Sequence, residues 1–185
     1  MWQDRQGVVD NHGVLECYEP FQRVSVDFQQ VSSEPDEDGY KYLCNFIDEF
    51  TGTVEMVPCK ELDAQELARC YLQVFGRYEA SQEIKTDNAK VFTSELITQF
   101  IELIESTCNH SIAHRHCSNG TVEHTNRETI RHLRAITSEL KANRKWSRFI
   151  MLVQRIVNAT VSSVTKVSPS QLLYGNMITL DRNIF

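Results

Sequence analysis

Three acidic residues stand where side chains could meet in a common cleft. Asp27 lies in an alternating, strand-like segment, Asp87 directly follows a short strand-like run, and Glu123 is predicted in the first turn of a long helix. Carboxylate oxygens are the ligands that Mg²⁺ prefers, and Mg²⁺ keeps waters that a substrate can replace. Two such ions about 3.5 to 4 Å apart activate an attacking oxygen and stabilise a leaving one. Three such acids, if they meet, are suited to two-metal phosphoryl-transfer chemistry.

Residue type alone leaves a simpler interpretation open for each acid. The chain contains 25 Asp and Glu, and most acidic side chains of a protein are solvated. Asp27 taken singly fits a polar, outward-facing strand residue, and Asp87 followed by Asn88 is a common turn signal. Glu123 near a helix N-terminus would have its ionised form stabilised by the helix dipole. Spacing and context must therefore decide.

The elements that would position these acids follow from hydrophobic periodicity. Val24, Val26 and Phe28 alternate with polar residues, which predicts a strand with one buried face. Strand-like runs at 40–48 and 53–57 complete a three-stranded antiparallel meander. The acidic segment 32–39 between them is predicted to be a solvated loop, with a metal site as the alternative.

Strands and helices alternate beyond this meander, which predicts a mixed α/β sheet. A helix over 64–75 ends at Gly76, a strand covers Glu83–Thr86, a helix covers 94–106, and a strand covers 109–113. A polar stretch, 114–120, precedes the long helix. Ser168 and Pro169 start a last helix. Two apolar helical stripes complete the pattern: Val122, Thr129, Leu133, Ile136 and Leu140, and then Trp146, Phe149, Ile150, Val153, Ile156 and Val157.

Length and composition fit one compact domain. The chain has 185 residues, of which 41% are hydrophobic, and domains commonly have about 100 to 150 residues. We predict a leader or linker over 1–20, a core domain over 21–180, and a tail over 181–185. The chain has no apolar run of about 18 residues and no apolar N-terminal stretch, so we expect a soluble, intracellular protein. Six cysteines without a C-x-x-C pair predict free, mostly buried thiols.

The charge of the chain is unevenly distributed. The net charge is -6, yet residues 115–155 contain nine Lys or Arg against three acids, a local charge of +6. The remainder therefore carries -12. Arg127, Arg131 and Arg134 follow Glu123 on the exposed side of the predicted helix, within about three turns of it. They could contact successive phosphates of a DNA backbone. A charged, solvated helix face is the alternative for these three arginines.

Several motifs in the right order resemble the retroviral and retrotransposon integrases. As in that family's acidic triad, 35 residues separate Asp87 from Glu123. The surrounding sequence is also similar over about residues 21–180, and the last motif looks like gypsy-type LTR retrotransposons. The motifs are VSVDF (24–28), FIDEFTG (46–52), KTDNAKVFTS (85–94), SNGTVEHTNR (118–127), Trp146, Asn158 and TKVSPSQLLYG (165–175).

The resemblance implies a ribonuclease H-like fold, with a five-stranded mixed sheet flanked by helices. Asp27, Asp87 and Glu123 would bind two Mg²⁺ or Mn²⁺ ions. The activity would be removal of terminal nucleotides from element DNA, followed by joining of its 3′ ends to target DNA. The family also implies a homo-oligomer, DNA as partner, nuclear action without a membrane, and a longer chain carrying a zinc-binding N-terminal and a DNA-binding C-terminal region.

Some residues depart from the family pattern or keep two interpretations. The family often has Tyr-His-Pro-Gln where this chain has 114–117 (HRHC), and His124 replaces the usual Arg after the glutamate. Asn88 could contact DNA or cap a turn. Asn119 is a second candidate DNA contact, and with Gly120 it could form the hinge of a mobile loop or a plain helix entry. Asp48 is predicted to be structural. A zinc site is conceivable but disfavoured at Cys108, His110, His114, His116 and Cys117.

Two other functions compete with an active integrase core. A domesticated, catalytically inactive module would bind DNA or protein without catalysis. The three retained acids argue against it, while His124 and the altered 114–117 stretch leave room for it. Ribonuclease H itself would share the fold and the metal chemistry. It fits less well, because the motifs at 118–127 and 165–175 resemble those of integrases.

Overall fold

Five strands form one mixed sheet in the order β3-β2-β1-β4-β5. The computed structural model describes residues 17–86, 89–110 and 116–176, and only the backbone at 89, 90, 110 and 116–122. Strands β1 to β3 form the predicted antiparallel meander, and β4 and β5 continue the sheet parallel to β1. The strands are β1 (Arg23–Gln30), β2 (Tyr42–Asp48), β3 (Val54–Cys59), β4 (Glu83–Thr86) and β5 (Thr107–His110).

Helices cover both faces of the sheet, so each face has its own core. One core joins α1, α2 and α3 to the face that carries Val24 and Val26. The other joins α4, a 3₁₀ segment (Asn143–Phe149) and α5 to the face that carries Leu43 and Ile47. No helix within the described part of the chain is long and apolar enough to cross a membrane. The helices are α1 (Ala64–Phe75), α2 (Ala89–Phe92), α3 (Glu95–Leu103), α4 (His116–Glu139), α5 (Ile150–Ala159) and α6 (Pro169–Tyr174).

Helix α4 differs from its prediction at both ends. It begins at His116, inside the stretch predicted to be a polar lead-in. It ends at Glu139, which leaves Leu140 outside the helix and 56% exposed, so the prediction of Leu140 as a buried residue was wrong. The buried side of the helix is instead rich in threonine: Thr125, Thr129 and Thr137 are buried beside Leu133. Thr129 was predicted to be buried, but Thr125 and Thr137 were not, because a hydrophobic pattern counts threonine as polar although its methyl group packs.

Two acidic residues have structural roles. Asp48 is fully buried, and its carboxylate accepts backbone N–H groups from Phe21, Phe50 and Thr51 together with the Thr51 hydroxyl. This confirms the structural prediction for Asp48. Asp36 lies in the acidic segment 32–39 and is only 6% exposed, because it accepts N–H groups from residues 38, 40 and 147. The segment is a loop, as predicted, but it is docked on the 3₁₀ segment instead of being fully solvated.

The described cysteines are all free thiols, as predicted. Cys44, Cys59 and Cys70 are buried, and Cys17 and Cys108 are half-buried. The Sγ atoms of Cys59 and Cys70 lie 3.3 Å apart. The three buried thiols are therefore part of the core between the sheet and α1.

Helix α5 covers the outer edge of β3 with side-chain amides. Asn158 accepts the Val54 N–H and donates to the Val54 carbonyl, both at 2.8 Å. Gln154 accepts the Met56 N–H at 2.8 Å. Further along the edge, Pro58 has no N–H, and its carbonyl accepts a hydrogen bond from Arg69 at 2.8 Å. The backbone groups of β3 that would otherwise face solvent at these positions are therefore hydrogen-bonded to side chains.

Replacing Asn158 with alanine is expected to destabilise the fold by about 2 to 4 kcal/mol. Asn158 is 8% exposed, and its removal would leave two buried backbone groups of Val54 unpaired, each costing about 1 to 3 kcal/mol. Urea unfolding measures the effect. The matched control is Asn143→Ala, at an exposed position, where a change within about 0.5 kcal/mol is expected. Equal stability of the two variants would contradict this account of the β3 edge.

Candidate functional site

Asp27 lies in β1 on the sheet face that packs against α4. Its backbone pairs with Asn45 of β2, and its side chain is half-buried. The parallel pairing of β1 with β4 brings Val26 opposite Thr86. Val26 immediately precedes Asp27 in the sequence, and Thr86 immediately precedes Asp87. The sheet therefore sets the strand that carries Asp27 beside the strand that leads to Asp87.

Asn126 of α4 joins this helix to Asp27. Its Nδ2 donates to the Asp27 Oδ2 at 2.7 Å, and its Oδ1 accepts from the Asn45 Nδ2 at 2.7 Å. The backbone carbonyl of Asn126 also accepts a hydrogen bond from the Gln29 side chain at 3.2 Å. Asn126 was not among the residues predicted for the site. One signal could have found it: Asn126 stands three residues after Glu123, and residues at this spacing share a helix face.

Glu123 is exposed on α4, one helical turn before Asn126. The helix therefore presents Glu123 towards the same side as the residue that binds Asp27. Because α4 starts at His116, Glu123 is the eighth residue of the helix, and the prediction that it lies in the first turn was wrong. The helix dipole acts within about the first turn, so Glu123 lies beyond the turn where its effect is largest.

Several predicted site residues lie beyond what the structure describes. Asp87 and Asn88 fall outside the described residues, as do 111–115. Asn119 and Gly120 fall within the helical backbone of α4, so the prediction of a loop or helix-entry turn there was wrong, and their side chains are not described. Ser-Asn-Gly is a common turn sequence, but context overrides such local preference. Of the five residues considered as a zinc site, Cys108 alone has a described side chain.

The donor chemistry of the site fits a hard cation. Asp27 would supply carboxylate oxygens from a strand, and Glu123 would supply them from the helix that packs on this strand. Carboxylate oxygens are the ligands that Mg²⁺ takes in proteins. Among the described residues, no group of three or more His, Cys, Asp and Glu is arranged to hold a metal ion. The third predicted ligand, Asp87, is outside that set.

A groove of about 580 Å³ runs between the end of β1 and the exposed side of α4. One of its lining residues, Gln29, follows Asp27 by two positions in β1. All three arginines that were predicted to contact DNA line the groove. Its charge is therefore suited to a phosphate backbone. The lining residues are Gln29, Gln30, Val31, Arg127, Ile130, Arg131 and Arg134.

The wider basic segment around this groove is partly neutralised by ion pairs. Arg148 binds Asp38 through two hydrogen bonds of 2.7 and 2.9 Å, and this guanidinium holds the pKa of the Asp38 carboxyl below its usual value. Lys145 lies 3.6 Å from Glu37, and Arg131 pairs with Glu128. Arg127 and Arg134 are exposed and make no ion pair within the described residues. The groove therefore retains more unpaired positive charge than the segment 143–149.

Comparison with known proteins identifies relatives of the chain. Residues 18–121 match the family described as integrase core domain; this match includes Asp27 and Asp87 and stops before Glu123. The Tf2-3 transposon polyprotein of Schizosaccharomyces pombe is 29% identical over 157 residues, which cover 84% of this chain and 12% of that polyprotein. The chain thus spans about an eighth of the curated relatives it matches.

Two solved structures show the same fold. The catalytic core domain of HTLV-2 integrase, in complex with magnesium in a trimeric form, superposes with a TM-score of 0.69 at 20% identity, covering 83% of this chain and 97% of that one. The simian T-cell lymphotropic virus intasome, in complex with PP2A regulatory subunit B56 gamma, gives 0.76 at 16% identity, covering 98% of this chain and 64% of that one. The predicted ribonuclease H-like fold is confirmed.

Proposed function

Because this chain belongs to the integrase core domain family, we propose that it is the catalytic core of a metal-dependent polynucleotidyl transferase. It removes terminal nucleotides from the 3′ ends of an element's DNA and joins these ends to target DNA. The action takes place inside the cell and, at the time of joining, in the nucleus. Zinc-binding N-terminal and DNA-binding C-terminal regions belong to the longer protein in this proposal.

The observation that carries the proposal is the hydrogen bond between Asp27 and Asn126. It ties the strand with one carboxylate to the helix with another, since Glu123 lies one turn before Asn126. The pairing of Val26 with Thr86 supports the same arrangement, because Asp87 is the next residue after Thr86. In this proposal, Asp87 joins Asp27 and Glu123 in one carboxylate site at this region of the sheet.

Asp27, Asp87 and Glu123 would hold two Mg²⁺ or Mn²⁺ ions. The chemistry that such ions supply is activation of the attacking oxygen and stabilisation of the leaving one. Asp27 is held by the amide of Asn126, so its carboxylate is oriented before a substrate arrives. The exposed position of Glu123 leaves it open to a ligand from the solvent side.

The groove beside Asp27 supplies the DNA contact in this proposal. Arg127, Arg131 and Arg134 donate to phosphate oxygens, and Asn88 and Asn119 contribute further contacts to the DNA. Such contacts position a duplex without selecting its sequence. Because Gln29 lines the groove and follows Asp27 by two residues in β1, a DNA backbone bound to the arginines would pass close to Asp27.

A disintegration and strand-transfer assay tests the proposed function. The chain and its longer parent are each incubated with branched and linear DNA in Mg²⁺, in Mn²⁺ and in EDTA. We expect joining or disintegration products with either metal and none in EDTA. Failure of both proteins with both metals would overturn the enzyme assignment and favour a domesticated binding module. Cleavage restricted to RNA–DNA hybrids would instead indicate a ribonuclease H.

Self-association is expected, because two element ends must be joined together. The HTLV-2 relative is described in a trimeric form, and the simian virus relative is described as an intasome. Exposed apolar side chains offer area to bury, including Leu72 (64% exposed), Leu103 (80%) and Met151 (82%). Analytical ultracentrifugation should show dimers or larger species at high concentration. A strict monomer in both the chain and its longer parent would contradict this expectation.

A further inference from the structure

We propose that Asn45 and Asn126 form a two-amide relay that positions the Asp27 carboxylate, with Asn45 fixing the orientation of the Asn126 amide. The relay has three members on three elements: Asn45 on β2, Asn126 on α4 and Asp27 on β1. Its two hydrogen bonds both measure 2.7 Å. The inference rests on the proposed function in one respect, namely that Asp27 is a metal ligand.

The direction of the relay follows from what each group can donate. An ionised carboxylate only accepts hydrogen bonds, so Asp27 requires the NH₂ side of the Asn126 amide. This requirement turns the Asn126 Oδ1 towards Asn45, which must then donate its own NH₂ group. In the opposite orientation, the Asn126 oxygen would face the Asp27 oxygen as a second acceptor. By donating to the Asn126 Oδ1, Asn45 therefore stabilises the orientation that Asp27 requires, without a side-chain hydrogen bond to Asp27 of its own in the relay.

The burial of Asn45 indicates that its role is not simply stability. It is fully buried on β2, an interior strand of the sheet, and its Oδ1 has no hydrogen-bond partner among the described residues. A buried acceptor without a partner costs free energy. A leucine of similar size would remove that cost at this position. The one hydrogen bond that Asn45 does make through its side chain in the described structure is the one that orients Asn126.

The backbone of Asn126 is anchored independently of the relay. Gln29 donates to its carbonyl at 3.2 Å, which fastens this turn of α4 to β1. The side-chain amide can therefore lose its orientation while the helix stays in place. Asn45 and Asn126 are thus positioning residues, and partners that orient a metal ligand typically contribute 10- to 100-fold in metal affinity.

The test separates positioning from packing by means of Asn45→Leu. Mn²⁺ alone is the probe, titrated by calorimetry into this chain, and Asp27→Asn identifies the heat that belongs to the proposed site. For Asn45→Leu we expect Mn²⁺ affinity about 10- to 100-fold weaker, with a midpoint of unfolding equal to or above that of the wild type. Asn126→Ala should weaken Mn²⁺ binding to a similar extent. The control is Asn158→Ala, which removes buried amide hydrogen bonds away from Asp27 and should bind Mn²⁺ as the wild type does.

A second measurement needs no metal. Side-chain ¹⁵N relaxation of the Asn126 amide should give a lower order parameter in Asn45→Leu than in the wild type. An unchanged order parameter overturns the relay, and so does unchanged Mn²⁺ affinity in Asn45→Leu when the wild type binds at Asp27. If the wild type shows no Asp27-dependent Mn²⁺ binding, the metal site of the proposed function fails, and the positioning role fails with it. These results are distinguishable because only the last one removes the wild-type signal.

Discussion

Glu123→Gln is expected to abolish strand transfer while leaving the fold unchanged. The substitution keeps the shape of the side chain and removes one carboxylate charge from the proposed metal site. A metal ion acting on a phosphoryl oxygen supplies several kcal/mol of transition-state stabilisation, so the rate should fall on the order of 10³-fold or more. Glu123 is exposed, and exposed substitutions usually change stability by less than about 0.5 kcal/mol. The measurement is the strand-transfer rate in Mg²⁺, with thermal unfolding in parallel.

The matched control for this variant is Glu139→Gln. It makes the same chemical change on the same helix, at the exposed last residue of α4, far from Asp27 along the helix. We expect normal activity there. If Glu123→Gln kept more than about a tenth of wild-type activity, the carboxylate of Glu123 would not be a metal ligand. This result would leave the proposed role of Asp27 as a metal ligand untouched.

Replacing Arg127, Arg131 and Arg134 together with glutamine is expected to weaken DNA binding across all sequences. The three side chains line the groove beside Asp27, and removing one phosphate-binding charge reduces the salt dependence of log K by about 0.9. The full effect is a slope smaller by about 2.7. Arg131 is paired with Glu128, so we expect single replacements of Arg127 and Arg134 to have the larger effects. Binding should be measured on several duplexes over a range of salt, with and without Mg²⁺.

Two further comparisons test this explanation of DNA binding: binding in Mg²⁺ against binding in EDTA, and the groove variant against a second triple variant. Clustered carboxylates repel phosphate until bound cations reverse the local charge, so wild-type binding should be stronger in Mg²⁺ than in EDTA. The control replaces Lys141, Arg144 and Lys145 with glutamine, an equal reduction of charge in the same basic segment but outside the groove. Equally weakened binding in both triple variants would mean that net charge, and not the groove, determines binding. An unchanged slope in the groove variant would mean that this face of α4 is only solvated.

The features that could be predicted from the sequence are those encoded in neighbouring residues. Alternation of Val24 and Val26 with polar residues predicted β1, and Ser168 followed by Pro169 predicted the start of α6, where the Ser168 hydroxyl accepts the Gln171 N–H at 3.2 Å. The motif around Asp48 could likewise be assigned a structural role, because its main partners lie within three residues.

The features that could not be predicted depend on residues far apart in the chain. The Asn126 amide meets Asp27 across 99 positions and Asn45 across 81, and no local pattern reports such a contact. The start of α4 was mispredicted for the opposite reason. Ser118, Asn119 and Gly120 have strong local turn preferences, which the observed helix overrides.

The amides of α5 also determine how this sheet can meet other protein chains. An exposed edge strand is a template for an incoming strand, whether from an amyloid-like aggregate or from a peptide that adds to the sheet. At β3, such a strand would have to displace Asn158 from Val54 and Gln154 from Met56, and it would meet a proline at position 58. Growth of the sheet through β3 is therefore blocked by side chains of the protein's own helix. Copies of this chain that associate with one another would therefore have to meet through surfaces other than the β3 edge, so that association would not extend the sheet from one copy to the next at this edge.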